Sequence, residues 1–408
     1  MLSDNCGLNY NKYFIEDNEK MNIQEKHCKI HFIKALSGDS FLIEPEDKKC
    51  ILIDCGYKST YEKELRPVLI NLKKNGGRIS LLVVTHMDAD HIGGAIAFLQ
   101  ENGESAKPKI IDIDNIWFNC LFQVCYNEKL VLQHLRDSLD ARTSKKNLYI
   151  RNQLEKLIAF GDGFISATHA EAFELICKKN HYSLNVGSEN GLIQEGQEIP
   201  IGNCKVKVLS PGKQIIDNFA KWIDKNLIDC FGKEYRLEKS TFLDYLEKVV
   251  LVYGIDENGS EGCSEISSAC PDIETWIGTS KQAPMNAANR MSIVLEIEYS
   301  EKTMLFLGDS ESGDWVSKAR RRYDLVKMSH HGTLRPNLEL LKQIEFKKAI
   351  ISTNGRKNHP EDDLLARVIQ NEVEDIFFNY NIRRKEDILS LQKKYNFKAH
   401  FGESPIIL

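Results

Sequence analysis

A nearly continuous apolar run, Ile79–Val84, passes directly into Thr85-His86-Met87-Asp88-Ala89-Asp90-His91, and helical periodicity takes over at Ile92–Gln100. The run reads as a strand buried on both faces. A buried strand followed at once by a helix calls for a sheet covered by helices. Few folds accommodate the loop between them, where four side chains with metal-binding chemistry fall within six residues. In a loop leaving a strand, residues two apart can face one point while the next pair reaches a neighbouring one. That spacing suits two metals in one pocket better than a single structural zinc. Imidazole and carboxylate without thiolate also favour an open, catalytic site. Helix capping by Asp88 or Asp90 would account for either acid alone. It does not account for histidines on both sides of them.

Three more islands carry the same chemistry. Gly308-Asp309-Ser310, Ser329-His330-His331-Gly332-Thr333 and Asn358-His359-Pro360 each follow an apolar stretch with strand character. Those stretches are Thr303–Leu307, Asp324–Met328 and Lys348–Ser352, and parallel neighbours would bring their ends together. Pro360 suits the first turn of a helix. Arg356 and Lys357, just before His359, are placed to contact a phosphate. Lys318, Arg320, Arg321 and Arg322 form a second basic run that reads equally well as a solvated face. His27, His31, His134, His169, His181 and His400 lack such company and are assigned to structure or surface.

The remaining chain supports a mixed α/β architecture. Lys29–Ala35, Ser40–Glu44 and Cys50–Asp54 read as strands in tight antiparallel hairpins, with turns at Gly38–Asp39 and Glu46–Lys49. Tyr61–Lys74 has helical apolar spacing and stops at Gly76–Gly77. A long helical stretch from about 119 to 180 carries no site chemistry. A strand group around Glu198–Leu209 stops at Ser210-Pro211-Gly212, and Lys213–Tyr253 is again helical. Gly254–Asn286, rich in Gly, Ser, Asn and acids, reads as an exposed loop. Strand Ser292–Glu298, helices Glu311–Arg320, Asn337–Ile344 and Asp362–Gln370, and strand Ile376–Tyr380 complete the pattern. We expect a polar segment, residues 1–26, then one domain over 27–408 with helical insertions at about 119–190 and 213–286.

Composition excludes several classes. A chain of 408 residues, 42% hydrophobic and 28% charged, can bury a core and is not disordered over its length. The net charge of −5 excludes a uniformly basic nucleic-acid coat while leaving room for a local basic groove. No apolar run follows a basic start, and the most apolar short run, Val249–Tyr253, is too short for a bilayer. A cytoplasmic location without membrane association is therefore expected. The 11 cysteines form no Cys-x-x-Cys pair, so neither a disulfide framework nor a zinc knuckle is expected.

These islands, in this order, resemble the metallo-β-lactamase superfamily, and within it the hydrolase domain of ComEC-type DNA-uptake (competence) proteins. Gly38-Asp39-Ser40-Phe41-Leu42-Ile43 and Ile51-Leu52-Ile53-Asp54-Cys55-Gly56 match the opening hairpin and first acidic motif. Thr85–His91 with Ile92-Gly93-Gly94 matches the second motif. Val208-Leu209-Ser210-Pro211, Asn289-Arg290-Met291-Ser292, Gly308-Asp309, His330-His331-Gly332 and Asn358-His359-Pro360 follow. The match spans roughly 29–118, 195–212 and 288–380. The resemblance implies an αββα sandwich with two metals at one edge of the sheets. His86 and Asp88 would serve one metal, Asp90, His91 and His359 the other. Asp309 would bridge them, and Asp54 would orient ligands from behind. Two departures stand out. Asp88 replaces the superfamily's second histidine, as it does in ComEC-type domains. Lys213 stands where a further histidine would follow Pro211-Gly212. One metal site is thus short of a ligand, which His330 or His331 would supply, or that metal binds weakly.

The functional expectation is a metal-dependent phosphodiesterase or nuclease. It would act on DNA through water activated by two divalent ions, Zn²⁺ or Mn²⁺, in DNA processing or defence against foreign DNA. Asp90, His330 and His331 are the catalytic candidates, and Arg356, Lys357 and Asn358 the substrate-binding ones. The alternatives are hydrolysis of a small molecule (cyclic nucleotide, phosphoester or lactam) and an inactive binding module. A protein partner would dock on the helical insertions.

Overall fold

The computed structural model describes residues 27–120, 124, 166–231, 272–280, 284–356 and 358–408. The 1–26 segment, His134, Lys357 and most of both expected insertions lie outside the described residues. Strands β1 (Lys29–Phe32), β2 (Phe41–Glu44), β3 (Lys49–Ile53), β4 (Arg78–Val83) and β5 (Ile116–Trp117) open the chain. β6 (Glu198–Ile201), β7 (Cys204–Ser210), β8 (Val294–Tyr299) and β9 (Lys302–Phe306) follow. β10 (Arg322–Lys327), β11 (Glu345–Ile351), β12 (Asp375–Phe378), β13 (Lys398–Phe401) and β14 (Ile406–Ile407) close it.

Two sheets result. One has six strands in the order β14-β1-β2-β3-β4-β5, the other eight in the order β13-β12-β11-β10-β9-β8-β7-β6. The expected hairpins are present, with β1, β2 and β3 antiparallel. β4 joins β3 in parallel, and β9 to β13 form a continuous parallel set. Parallel strands require crossovers, and the helices that supply them cover the sheet.

Side-chain alternation sorts the core into three layers. Phe41, Ile43, Ile51, Ile53, Leu81 and Val83 face one way and meet Leu295, Phe306, Leu325, Ile350 and Phe377 between the sheets. Phe41 touches Phe306 edge to face at 5.3 Å, a contact worth about 0.5–1.5 kcal/mol beyond area burial. The alternate residues Leu42, Cys50, Leu52, Leu82 and Val84 face outward against the helix Ala89–Asn102 and its neighbours. On the other side Val326, Ala349, Ile351, Ile376 and Phe378 pack beneath Asp362–Gln370 and Lys385–Tyr395. Helix, sheet, sheet, helix is the layer order, and the mixed α/β architecture is that of a metallo-β-lactamase fold.

Some elements differ from the sequence reading. Glu311–Arg320 is not one helix but two 3-10 turns, Ser312–Asp314 and Val316–Lys318. The weak helix formers Ser312-Gly313-Asp314 and fully buried Trp315, whose Nε1 donates to Ser310 Oγ at 3.0 Å, favour the break. Tyr61–Leu65 is a π turn leading into the helix Arg66–Lys74. Within the loop read as exposed, Ile273 and Trp276 are buried, and the Gly278 amide donates to Asp363 Oδ2 at 2.6 Å. Two apolar residues among polar ones found a docking place on Asp362–Gln370. The helix Lys385–Tyr395 and strands β5, β13 and β14 went unread, two of those strands being only two residues long.

Glycine sets how closely the helix Ala89–Asn102 approaches the end of β3. A Cβ at Gly94 would lie 2.0 Å from the Cys55 carbonyl oxygen, and the Gly94 amide donates to Gly56 O at 2.7 Å. Gly94→Ala should therefore cost about 1–3 kcal/mol through forced displacement of this helix. A urea midpoint unchanged from wild type would refute that close packing.

Candidate metal centre

All the chemistry-bearing loops leave the carboxyl ends of parallel strands, where side chains from several loops can converge. β3 delivers Asp54, β4 the 85–91 loop, β9 Asp309, β10 His330 and His331, and β11 the loop that reaches His359. Asp54 organises the first of these. It accepts from the Thr85 amide at 2.7 Å and from Thr85 Oγ1 at 2.8 Å, and its Oδ2 stands 2.8 Å from His91 Nδ1. Asp88 is the N-cap residue of Ala89–Asn102, yet its side chain makes no capping hydrogen bond. It stands instead 3.6 Å from His86 Nε2, so capping does not explain it.

Three imidazoles are held in one orientation. The Thr85 hydroxyl proton goes to Asp54, which leaves Thr85 Oγ1, 3.1 Å away, to accept from His86 Nδ1. Ser292 Oγ lies 3.3 Å from the same nitrogen and accepts from the Asp309 amide at 3.1 Å. His91 Nδ1 is paired with Asp54, and His331 Nδ1 lies 3.2 Å from the Ser352 carbonyl, which can only accept. With each Nδ1 so engaged, the Nε2 atoms of His86, His91 and His331 stand 4.0, 3.5 and 3.4 Å from one atom, Asp309 Oδ2. His331 Nε2 is also 3.3 Å from Asp90 Oδ2.

The backbone is strained where this is built. Asp54, His330, His331 and Asn358 all adopt left-handed φ, between 48° and 57°. For non-glycine residues each such conformation costs of order 1–3 kcal/mol, and surrounding contacts must hold it. Gly38 adds a close approach, since a Cβ there would sit 2.0 Å from the Asp90 carbonyl oxygen.

The electrostatics is that of a buried acid–imidazole cluster. Burial opposes charge on His91, but Asp309, Asp54 and Asp90 outweigh it and hold the pKa well above 6.5. His331 behaves likewise, with burial again opposed chiefly by Asp309. Burial would raise Asp309, yet His331 and His91 hold it well below the usual carboxylate range, and Asp90 is also lowered against burial by His91 and His331. Lys327, fully buried, keeps its ammonium against burial through Asp39 and Asp309.

The group fits a divalent metal. His86 Nε2 and His91 Nε2 are buried and have no hydrogen-bond partner, an arrangement that protein interiors avoid unless something else satisfies such atoms. Asp39, His91, Asp309 and His331 present ligand atoms all within 4.8 Å of one another. Asp39 differs from the other three. It pairs with Lys327, and its contacts to His91 and His331, at 4.0 and 3.7 Å, are to their Nδ1 atoms, behind the face that Nε2 presents.

The structure thus brings together His86, Asp88, Asp90, His91, Asp309 and His331, with Asp54 behind them. His331, considered as the supplier of a missing ligand, stands beside Asp90 and His91. His359 lies with its ring 5.8 Å from that of His330 and 6.3 Å from that of His331. His330 Nδ1 is 3.1 Å from Thr333 Oγ1. Arg356 and Asn358 are exposed, and Lys357 lies outside the described residues. In the second basic run Lys318 pairs with Glu195, Arg320 with Glu296 and Glu298, and Arg322 with Glu345, as a solvated face would. Lys213 is exposed and paired with Asp217 at 3.0 Å. Sequence reasoning missed Lys327 and the role of Asp39. The available signal was a lysine set within the apolar run Leu325–Met328 that leads into His330 and His331.

Residues 33–107 match the family model of the metallo-beta-lactamase superfamily. That span includes Asp39, Asp54 and the whole His86–His91 loop. It supports this superfamily and, with the cluster above, a metal-dependent hydrolase. Among solved structures the chain is similar to the metallo-beta-lactamase fold protein YhfI from Bacillus subtilis. That likeness has 9% identity and a TM-score of 0.36, and covers 93% of this chain and 99% of that one. It is also similar to Zn(2+)-bound PqqB from Methylobacterium extorquens, at 8% identity and a TM-score of 0.37, covering 94% and 99%. A third is Igni18, a metallo hydrolase from Ignicoccus hospitalis, at 9% identity and a TM-score of 0.34, covering 94% and 97%. No curated protein matches the chain. Among the described residues no helix is long and apolar enough to cross a membrane.

The raised histidines make a pH prediction for metal-free protein. A group whose folded pKa lies above its unfolded value stabilises fully below the unfolded pKa, and that stability is lost as pH rises through the folded one. For His91 and His331 the loss begins above about 6.5. With chelator present the melting temperature should therefore fall as pH rises from 6.5. A profile flat across that window would contradict the assignment.

Proposed function

We propose that this chain is a metal-dependent phosphodiesterase whose substrate is nucleic acid, most specifically DNA. The observation that carries the metal reading is the convergence of three buried imidazole Nε2 atoms on Asp309 Oδ2, each ring fixed through Nδ1. In this reading His86 and Asp88 hold one divalent ion, and Asp90, His91 and His331, with His359 beside them, hold a second. Asp309 is shared, and Zn²⁺ and Mn²⁺ both suit imidazole and carboxylate donors. Two ions also fit the formal charge. Asp39, Asp54, Asp88, Asp90 and Asp309 supply five carboxylates, which two divalent ions and the Lys327 ammonium would balance, as a buried cluster requires.

Bound metals of this kind supply Lewis acidity and an acidified water, chemistry well suited to displacement at a phosphodiester. The protein's own contribution is placement. Asp54, Thr85, Ser292 and Ser352 fix the ring orientations, and Asp90 is positioned to take up a proton. His330, half-buried and with its ring 5.8 Å from that of His331, is the proposed proton donor to the leaving oxygen. Arg356 and Asn358, both exposed, would approach the phosphate, and Lys357 is proposed to bind it with them. The resemblance of the motif order to ComEC-type hydrolase domains is what favours DNA as substrate, in DNA processing or defence against foreign DNA. A protein partner would dock on the helical insertions. The net charge of −5 is what favours the second reading, hydrolysis of a small phosphoester, cyclic nucleotide or lactam.

The test is a cleavage assay on plasmid, linear duplex, single-stranded DNA and RNA with metal-stripped, Mn²⁺-, Mg²⁺- and Zn²⁺-loaded protein. DNA cutting should require metal. It should fall more than about a hundredfold in Asp309→Ala, since even residues that only orient metal ligands are worth roughly 10–100-fold. Metal-loaded protein that cuts no nucleic acid but hydrolyses a small ester would replace the DNA reading with the second one. Absence of metal uptake would favour an inactive binding module.

A further inference from the structure

Lys327 is the last residue of β10 and is 1% exposed. Strand alternation puts it on the inner face of the eight-stranded sheet with Leu325, flanked in register by Phe306 and Ile350. A lysine among such neighbours is rare unless its charge is paired. The Lys327 ammonium pairs with Asp39, which belongs to the β1–β2 loop of the other sheet. It also donates to the Gly308 carbonyl at 2.9 Å and stands 3.7 Å from Asp309 Oδ1. The metal-facing side chains are divided in the same way. His86, Asp88, Asp90 and His91 come from the six-stranded side, Asp309 and His331 from the eight-stranded side. Asp39 is tied to the first group, since its amide donates to the Asp90 carbonyl at 3.2 Å.

We infer that Lys327 is a positioning residue of the metal centre: its ammonium engages Asp309 Oδ1 and Asp39, so that Asp309 turns Oδ2 to the imidazoles and the half-sites of the two sheets keep one spacing. The inference rests on the metal-centre reading above but not on the identity of the substrate. Its long flexible stem lets Lys327 reach between the sheets and contact both Asp39 and Asp309. It supplies positive charge at the back of the cluster whether or not metal is bound at the front.

The experiment is metal affinity of the full chain, read by competition with a chromophoric chelator for Zn²⁺ and Mn²⁺, with melting temperature measured in parallel. Wild type, Lys327→Met, Lys327→Arg and the double variant Asp39→Asn/Lys327→Met are compared. Lys327→Met should bind metal about 10–100-fold more weakly, the range for residues that orient ligands. It should also melt lower, because Asp39 is left buried and unpaired. The double variant removes that orphaned charge, so its melting temperature should recover while its affinity stays low. Lys327→Arg, which keeps the charge, should fall between wild type and Lys327→Met. If affinity recovers with stability in the double variant, or never falls, Lys327 only fastens the sheets and the inference is wrong. Wild type that binds metal but cuts no DNA, with weakened Lys327 variants, would sink the substrate proposal and leave this inference standing. Wild type that takes up no metal would sink both.

Discussion

Asp309 Oδ2 is approached by three imidazoles, and most of the surrounding structure serves to make that approach hold. A carboxylate with three Nε2 atoms within 4.0 Å is a costly thing to bury unless charge and geometry are both arranged around it. Behind the rings, Asp54, Thr85, Ser292 and Ser352 take every Nδ1. Behind the carboxylate, Lys327 faces the other oxygen. Asp39 then links that lysine to the backbone of the metal-binding loop. Each layer fixes the one in front of it, which is how a site keeps its geometry before any ion arrives.

The fold supplies this arrangement by ending parallel strands at one edge. Side chains from β3, β4, β9, β10 and β11 meet there because neighbouring parallel strands share a direction. The interface between the sheets is apolar from Phe32 to Phe377, and Lys327 is the charged residue set into its edge beneath the cluster. The strained backbone at Asp54, His330, His331 and Asn358 sits at the same edge. Stability is spent there on orientation, while the interior carries the hydrophobic stabilisation.

Much of this was legible in the sequence. Period-two apolar strands, the 85–91 loop and the islands after three later strands located both the sheets and the site edge. The pairing of His331 with Asp90 was not legible, since His330 and His331 are adjacent and only the left-handed turn at both decides which ring points inward. Lys327 was missed because a lysine at a strand end ordinarily reads as solvated. Its burial depends on Asp39, nearly three hundred residues earlier in the chain and in the other sheet. Glu311–Arg320 is broken because the weak helix formers Ser312-Gly313-Asp314 stand at its start and Trp315 packs inward. What a single chain hides is the tertiary pairing of charges.

The most direct test of the account is a crystal structure of the protein loaded with Mn²⁺ or Zn²⁺, with anomalous scattering used to place each ion. Anomalous peaks are expected at bonding distance, about 2.0–2.3 Å, from the Nε2 atoms of His86, His91 and His331 and from Asp309 Oδ2. Lys327 should still face Oδ1. Ions on the Nδ1 side, bound to Asp39 with Lys327 displaced, or a loaded crystal with no peak at Asp309, would contradict it.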